Sequence, residues 1–355
     1  RGVVERVLAL KDAAGRALRD PDREAAMRAA LVEKGRARGL DARLVEALFD
    51  HVIGDSVRLQ ARLLVRRRNE AIFDGPLVVA YHGAPGSYSE RAAQSHFGPI
   101  AKAPTYRGLE TLRGVIAAVE RGDARFGVLP IENTTAGSIN ETYDLLAATA
   151  LSIVGEAIAP IEHCLAGTAQ VPLASIRKVF SHPMALAQCA DLLATLPGAT
   201  PEPYYNTALA ARKVKEDGDP THAAIVSLEA AATYGLVVLR PRIADRADNF
   251  TRFVVVGREA IEVDPRVPSK TSLVMSTRHE EGALARCLAI LAARHRNLTK
   301  LESRPRANAP WEYLFYLDFD GSTADPDVRG ALEDLRGATT FMKVLGSYPV
   351  AEPPV

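Results

Sequence analysis

Two short segments place ionisable and hydrogen-bonding side chains against apolar runs that read as buried strands. Asn249-Phe250-Thr251-Arg252-Phe253 leads into Val254-Val255-Val256, and Phe126-Gly127-Val128-Leu129 leads into Pro130-Ile131-Glu132-Asn133-Thr134-Thr135. A core strand that ends in hydroxyl, amide and carboxylate groups marks a pocket, because such groups are costly to bury without partners. Arg252 could grip a carboxylate with two parallel hydrogen bonds; a structural ion pair is the other reading. A third segment, Gly83-Ala84-Pro85-Gly86-Ser87-Tyr88-Ser89, joins a strand to a helix. It could turn backbone N–H groups toward an anion, or serve only as a turn.

These segments need a scaffold, and the bulk numbers bound it. A chain of 355 residues exceeds what one core supports, so two or three domains are expected. Apolar residues make up 47% and charged residues 25%, with net charge +1. That balance points away from nucleic acid and from anionic membrane surfaces as partners. No apolar run is long enough to cross a bilayer, and no secretory pattern is present, so a cytoplasmic setting is expected. Cys164, Cys189 and Cys287 are odd in number and far apart, which predicts buried thiols rather than disulfides or a metal site.

Residues 1–65 read as all-helical. Asp20-Pro21-Asp22 is a helix start, predicting a helix from Pro21 to about Arg38 that stops at Gly39. Asp41 caps a longer helix whose apolar stripe, Val45, Phe49, Val52, Leu59 and Leu63, predicts helix packing along its full length. Ser56 lies on that stripe and Gln60 one turn beyond. The chain opens at Arg1 in a helical pattern, as though inside a helix. Residues 66–76 read as a charged connector. From Leu77, short apolar runs near 77–81, 126–129, 152–158, 178–180, 223–226 and 253–257 alternate with helices, which predicts α/β layers. Ser87–Glu90 and Ser138–Glu141 read as capping boxes. Residues 271–349 follow the order β-α-β-β-α-β of ferredoxin-like folds.

The motifs carry resemblances. Lys11, Asp20, Arg23, Glu24, Ser56 and Gln60 resemble the active site of all-helical chorismate mutases across residues 1–65. The resemblance implies that Lys11 and Gln60 stabilise the ether oxygen of chorismate as its C–O bond breaks. Arg23, Asp20, Glu24 and Ser56 would bind or orient hydroxyl and carboxylate groups. Two further arginines of that family have no counterpart here; Arg1 stands one residue out of phase with the second. Residues 77–262 resemble prephenate dehydratases through the glycine-rich segment, Pro130–Asn133, Thr142–Leu146, Ser181-His182-Pro183 with Gln188, and Asn249–Phe253. This implies two α/β lobes with a site in the cleft, Thr251 as the essential residue, and Glu132 as the acid if burial raises its pKa. Asn133, Ser181, Gln188 and Arg252 would hold prephenate. His182 is read as structural. Residues 270–350 resemble an ACT domain, with Gly282-Ala283-Leu284 and Glu302-Ser303-Arg304 as the segments that bind phenylalanine between subunits.

The whole chain therefore resembles the bifunctional mutase–dehydratase family of bacterial phenylalanine synthesis. The expectation is a multidomain enzyme: an all-α mutase domain, a two-lobed α/β dehydratase domain and a ferredoxin-like α+β ACT domain. Chorismate and prephenate are its expected substrates and phenylalanine its effector. No cofactor or metal is expected, and a homodimer or larger homo-oligomer is. Removal of residues after about Val263 is expected to leave a working dehydratase that ignores phenylalanine. Two rivals remain open at this stage: a dehydratase with an inactive mutase domain, and a non-catalytic binding protein, since two-lobed clefts also capture solutes.

Overall fold

In the computed structural model, which describes residues 2–306 and 312–352, the helical segment begins with Gly2–Ala13 (α1). Arg1 lies outside the described residues. Asp20 caps Pro21–Arg36 (α2) by accepting from the Arg23 N–H, and Asp41 caps Ala42–Arg68 (α3) by accepting from the Arg43 and Leu44 N–H groups. Both starts follow from a carboxylate placed over amides that the helix leaves unpaired. Packing along α3 is less complete than its stripe predicts. Phe49 and Leu63 are buried, but Val52 is 63% exposed, and Leu44 and Leu48 are exposed as well.

The expected connector starts inside α3 and continues as a short helix, Glu70–Phe73 (α4). Between them Asn69 is fixed by its amide. Its Nδ2 donates to Glu262 O at 2.8 Å, and its Oδ1 accepts from the Glu262 N–H at 2.8 Å. A two-way amide–backbone pair of this kind ties residue 69 to a point nearly two hundred residues later.

The central region runs out through one lobe and returns. Val78–His82 (β1), Thr105–Leu109 (β2), Phe126–Asn133 (β3), Gly137–Ser138 (β4) and Ser152–Pro160 (β5) belong to the first lobe. Its helices are Tyr88–Phe97 (α5), Leu112–Arg121 (α6) and Asn140–Ala148 (α7). Cys164–Gly167 (β6), Lys178–Ser181 (β7), Thr200–Pro203 (β8), His222–Val226 (β9) and Val237–Arg240 (β10) make the second lobe. Phe250–Gly257 (β11) then re-enters the first sheet between β3 and β5. The sheet orders are β2-β1-β3-β11-β5, with β4 beside β3, and β10-β6-β9-β7-β8. Both sheets mix parallel and antiparallel pairs. Residues 161–163 and 241–249 form the two crossovers between lobes.

The last region contains Ser269–Thr277 (β12), Leu298–Pro305 (β13), Tyr313–Asp320 (β14) and Thr339–Pro349 (β15), with helices Ala283–Ala293 and Pro326–Ala338 between them. The antiparallel order β13-β14-β12-β15 is that of a ferredoxin-like sheet. The helices cover one face over Leu273, Met275, Leu291, Leu317 and Phe319. The sheet also rests on the first lobe. A Cβ on Gly346 of β15 would sit 2.1 Å from Ile153 O of β5, so only glycine permits that approach. Tyr316 Oη donates to Tyr143 O at 3.0 Å, and Lys343 Nζ to Leu146 O at 2.9 Å.

Charge joins the helical region to the edge of the first lobe. Asp264, 3% exposed, accepts from Arg266 Nε at 2.9 Å and Arg68 Nε at 3.1 Å, and Arg266 reaches Asp12 of α1 at 2.8 Å. Hydrogen bonds from Arg266 are the first cause that holds the Asp264 carboxyl well below its usual range; burial opposes them. A carboxyl with a depressed folded pKa adds stability above its unfolded value near 3.8 and loses it as pH falls below that point. Thermal unfolding measured from about pH 5 down to pH 2 should therefore fall more steeply for the wild-type chain than for Asp264→Asn. The variant should also be the less stable of the two at neutral pH. Parallel pH profiles would show that Asp264 does not carry this linkage.

Candidate active sites

The antiparallel pairing of β3 with β11 sets Thr251 opposite Asn133 and Arg252 opposite Glu132. Successive side chains on a strand face opposite ways, so these two pairs lie on opposite faces of the sheet. On the first face Asn133 Nδ2 reaches Thr251 Oγ1 at 2.9 Å, Asn249 Oδ1 at 2.8 Å and Phe250 O at 3.0 Å. Asn133 Oδ1 accepts from Thr135 Oγ1 at 2.7 Å and from the N–H groups of Thr135 and Ala136 at 3.0 and 2.8 Å. One buried amide thus holds both the turn after β3 and the start of β11.

The second lobe reaches this cluster through Gln188. Its Nε2 donates to Thr135 Oγ1 at 2.6 Å, and its Oε1 lies 3.1 Å from His163 Nε2. His163 Nδ1 lies 3.0 Å from Tyr88 Oη, which also donates to Glu162 O at 2.7 Å. Burial lowers the His163 pKa, with the Gln188 hydrogen bond opposing, so the ring is neutral near pH 7; burial likewise keeps the Tyr88 proton in place. Thr251, Asn133 and Gln188 are therefore brought together, as their motifs suggest. Asn249, Thr135, His163 and Tyr88 join them without having been assigned a role from sequence. For His163 the available sign is a histidine directly before an apolar strand.

Other predicted residues lie elsewhere. Ser181 is fully buried and its Oγ donates to Ile225 O at 2.6 Å, stitching β7 to β9 instead of facing the cleft. His182 caps the helix Pro183–Ala187 through its Nδ1. The glycine-rich segment packs the lobes together: the Gly86 N–H goes to Glu90 Oε2 at 2.6 Å, and a Cβ on Gly86 would lie 2.6 Å from Ala230 Cα. Ser138 is not a helix cap, because its Oγ donates to Glu302 Oε2 at 2.6 Å.

The opposite face of β3 and β11 meets the last region. Arg252 Nε donates to Glu156 Oε2 at 2.7 Å, its second nitrogen pairs with Asp318 at 2.7 Å, and its third reaches Tyr348 Oη at 3.0 Å. Burial opposes its charge, but Tyr348, Asp318 and Glu156 outweigh burial and hold the guanidinium above its ordinary value. Lys270 completes the group at 3.0 Å from Glu156. The ion-pair reading of Arg252 replaces the substrate-binding one. Glu132 is half-buried and pairs with Lys300 Nζ at 2.7 Å. The burial among apolar groups on which its role as acid depended is absent.

On β13, Lys300, Glu302 and Arg304 alternate toward the first lobe, where Arg304 pairs with Asp144 at 2.8 Å. Ser303 faces the other way and is exposed. Gly282, at φ +70°, precedes the helix that contains Ala283 and Leu284, and the Ala283 N–H already bonds Glu280 O at 3.3 Å.

In the helical region Lys11 Nζ donates to Leu18 O. Burial lowers its pKa, Glu24 and Asp20 oppose, and Arg23 adds to the lowering, which places those three charges around it. Asp20 and Glu24 form a reciprocal cap: Asp20 accepts from the Arg23 N–H at 3.1 Å, and Glu24 Oε1 from the Asp20 N–H at 3.3 Å. Gln60 Nε2 donates to Ser56 Oγ at 3.1 Å and Ser56 O at 3.2 Å, while its Oε1 is buried with no partner. A cavity of about 950 Å³ lies between α1, α3, α5, β5 and residues 349–352. Ser56 lines it, but neither Gln60 nor any residue of the Thr251 cluster does. The convergent polar side chains, not this cavity, mark the candidate sites. Among the described residues no group of three or more His, Cys, Asp or Glu side chains is placed to hold a metal.

Comparison with known proteins now bears on this geometry. Residues 79–261 match the family model for prephenate dehydratase, and residues 1–61 match chorismate mutase type II. The chain is 40% identical over 334 residues to the bifunctional chorismate mutase/prephenate dehydratase of Escherichia coli (strain K12), covering 94% of this chain and 86% of that one. Among solved structures it resembles the prephenate dehydratase of Arthrobacter aurescens in complex with L-Phe, at 32% identity and TM-score 0.71 over 79% of this chain and 92% of that one. It also resembles a structure described as a novel type of quorum-quenching acylase, at 33% identity and TM-score 0.70 over 77% of this chain and 98% of that one.

The Arg252 group yields a stability prediction. Arg252→Met leaves Glu156 and Asp318 each short of a cation in a buried setting. Breaking such a pair from one side costs about 3–5 kcal/mol. Denaturant unfolding of the variant should show a loss of that size; a loss below about 1 kcal/mol would mean that water compensates the carboxylates.

Proposed function

We propose, for a chain that belongs to the bifunctional chorismate mutase/prephenate dehydratase family, a division of labour among its parts. Residues 1–65 rearrange chorismate to prephenate. Residues 77–262 convert prephenate to phenylpyruvate. Residues 270–350 act as an ACT unit that binds phenylalanine and restrains the dehydratase.

Dehydration removes the ring carboxylate of prephenate as CO₂. Its bonding electrons enter the ring and expel the hydroxyl group, which takes up one proton and leaves as water. The observation that supports a role for Thr251 is its hydrogen-bond balance. Its Oγ1 accepts from Asn133, and no acceptor for its own proton is found among the described residues. That proton is free to hydrogen-bond the departing oxygen, a contact that strengthens as negative charge grows there. Asn133 and Gln188 keep the hydroxyl oriented. Glu132, paired with Lys300, sits where the last region touches the strand that carries Asn133. Together with the Glu302–Ser138 and Arg304–Asp144 contacts, it offers a route by which phenylalanine near Gly282–Leu284 and Ser303 would be felt at the site. The L-Phe complex of the Arthrobacter dehydratase is consistent with such an effector.

For the mutase, Lys11 and Gln60 would face the ether oxygen of chorismate. With the Gln60 amide turned end for end, Ser56 Oγ–H would donate to Oε1 and leave Nε2 to donate to substrate. Exposed Leu10, Leu44, Leu48 and Val52 on the helical region favour association with a second copy.

Two experiments test these assignments. Thr251→Val keeps the shape and deletes the donor, so phenylpyruvate formation should fall by about two orders of magnitude or more while chorismate turnover is retained. Near-normal dehydration would reject Thr251. For the mutase, Lys11→Ala should lower turnover more than substrate affinity. If the ammonium form is required, chorismate turnover should fall as pH rises, with a midpoint below the ordinary lysine value of 10.5 because burial lowers the Lys11 pKa. Turnover that holds steady beyond that value would exclude a cationic Lys11.

A further inference from the structure

The cluster behind Thr251 has a direction, and backbone groups fix it. Asn133 Oδ1 faces the N–H groups of Thr135 and Ala136, so that atom must be the amide oxygen. Its Nδ2 then faces Asn249 Oδ1, Phe250 O and Thr251 Oγ1 as a donor. Thr135 Oγ1 has amide oxygens at 2.7 Å (Asn133 Oδ1) and 3.4 Å (Asn249 Oδ1) to take its proton, so it must accept from Gln188. The Gln188 atom at Thr135 is therefore nitrogen, and its oxygen turns to His163 Nε2. A neutral imidazole carries one N–H, so His163 holds it on Nε2 and leaves Nδ1 as an acceptor that shares the single Tyr88 Oη proton with Glu162 O.

We propose that His163 is a positioning residue for the dehydration, the group that holds the far end of the hydrogen-bond chain running from His163 through Gln188, Thr135 and Asn133 to Thr251. This rests on the dehydratase reading of Thr251. Every link points the same way, and bonds aligned in this manner polarise one another. The chain ends with Thr251 Oγ1 as an acceptor, which makes its own O–H a better donor to the departing oxygen. No group in the chain changes protonation, and no covalent step is added. His163 is well placed to hold its setting. It is 2% exposed and lies in the crossover between lobes, where its carbonyl accepts from the Ile243 N–H at 2.9 Å. Because Gln188 belongs to the second lobe and Thr135 to the first, the same two contacts also fix the lobes at the floor of the cleft.

The test uses the full chain, with prephenate and chorismate turnover measured on each variant. His163→Phe keeps a ring and deletes both polar contacts. The expected result is a fall in kcat for prephenate of about 10- to 100-fold, as is common for removal of an outer partner, with KM changed by no more than about threefold. His163→Gln, long enough to donate toward Gln188, should recover most of the loss. His163→Asn, polar but too short, should resemble His163→Phe and serves in its place if the phenyl ring is not tolerated. Thr135→Val should lower kcat alone yet add little on top of the His163 variant, because both interrupt one chain. A kcat within about twofold of wild type for both His163→Phe and His163→Asn would overturn the proposal. So would strict additivity with Thr135→Val, or a loss that His163→Gln does not reverse. Failure of the underlying reading looks different: Thr251→Val would then turn over prephenate as fast as the wild-type chain.

Discussion

Strand alternation at the β3–β11 pair constrains more of this molecule than any other local feature. Thr251 and Arg252 are neighbours, as are Glu132 and Asn133, so neither pair can serve one face of the sheet. Thr251 and Asn133 face the cleft between lobes. Arg252 and Glu132 face the last region, where Glu156, Asp318 and Lys300 neutralise them. The same two strands therefore carry the Thr251–Asn133 cluster on one side and the docking of the next unit on the other. A displacement of either strand by one residue would exchange the two sets and leave charge facing the cleft.

The docking face also ties the last region closely to the first lobe. Arg252 and Lys270 balance Glu156 and Asp318, and Glu156 also accepts from the Ala351 N–H at 2.8 Å. A chain cut after about Val263 would lose Lys270, Asp318, Tyr348 and Ala351 together. Glu156 and Arg252 would keep only each other, on a surface also stripped of the contacts around Gly346 and Tyr316. Such a truncation, expected from sequence to leave a working dehydratase that ignores phenylalanine, removes the last region and its docking contacts at once. Substitutions at Lys300 or Arg304 separate the two more cleanly, because these side chains lie at the rim of the contact.

Much of the architecture was legible because it rests on local chemistry. Asp20, Asp41 and Ser87 cap helices as their residue types dictate, and long apolar runs such as Phe253–Val256 became buried strands. The strands that escaped notice, Thr105–Leu109, Cys164–Gly167, Thr200–Pro203 and Val237–Arg240, are four or five residues long and gain their pairing from neighbours distant in sequence. Site residues divided along the same line. Residue type and motif singled out Thr251, Asn133 and Gln188, which the fold brings together, but the partners of Arg252, Glu132, Ser181 and Ser138 lie far away in the chain, and no local pattern could supply them. The opposite facing of Thr251 and Arg252 was available from the period of a strand, without any partner being known.

The two candidate sites differ in how completely one chain furnishes them. Around Thr251 the side-chain amides and hydroxyls bond one another across both lobes, and no acceptor for the Thr251 proton is found among the described residues. Around Lys11 the accounts do not close. Gln60 Oε1 is buried without a partner, Lys11 spends its ammonium on the carbonyl of Leu18, and Asp20 and Glu24 are occupied in capping α2. A buried amide oxygen without a donor costs about 1–3 kcal/mol. Nearby, Leu44, Leu48 and Val52 leave a stripe of apolar surface on α3 in contact with water. Turning the Gln60 amide would let Ser56 Oγ–H satisfy Oε1 and leave Nε2 to donate outward, and added helical surface would cover the stripe. The Thr251 cluster is held by contacts within one chain, whereas the Lys11 cluster leaves a buried oxygen unpaired and an apolar stripe uncovered.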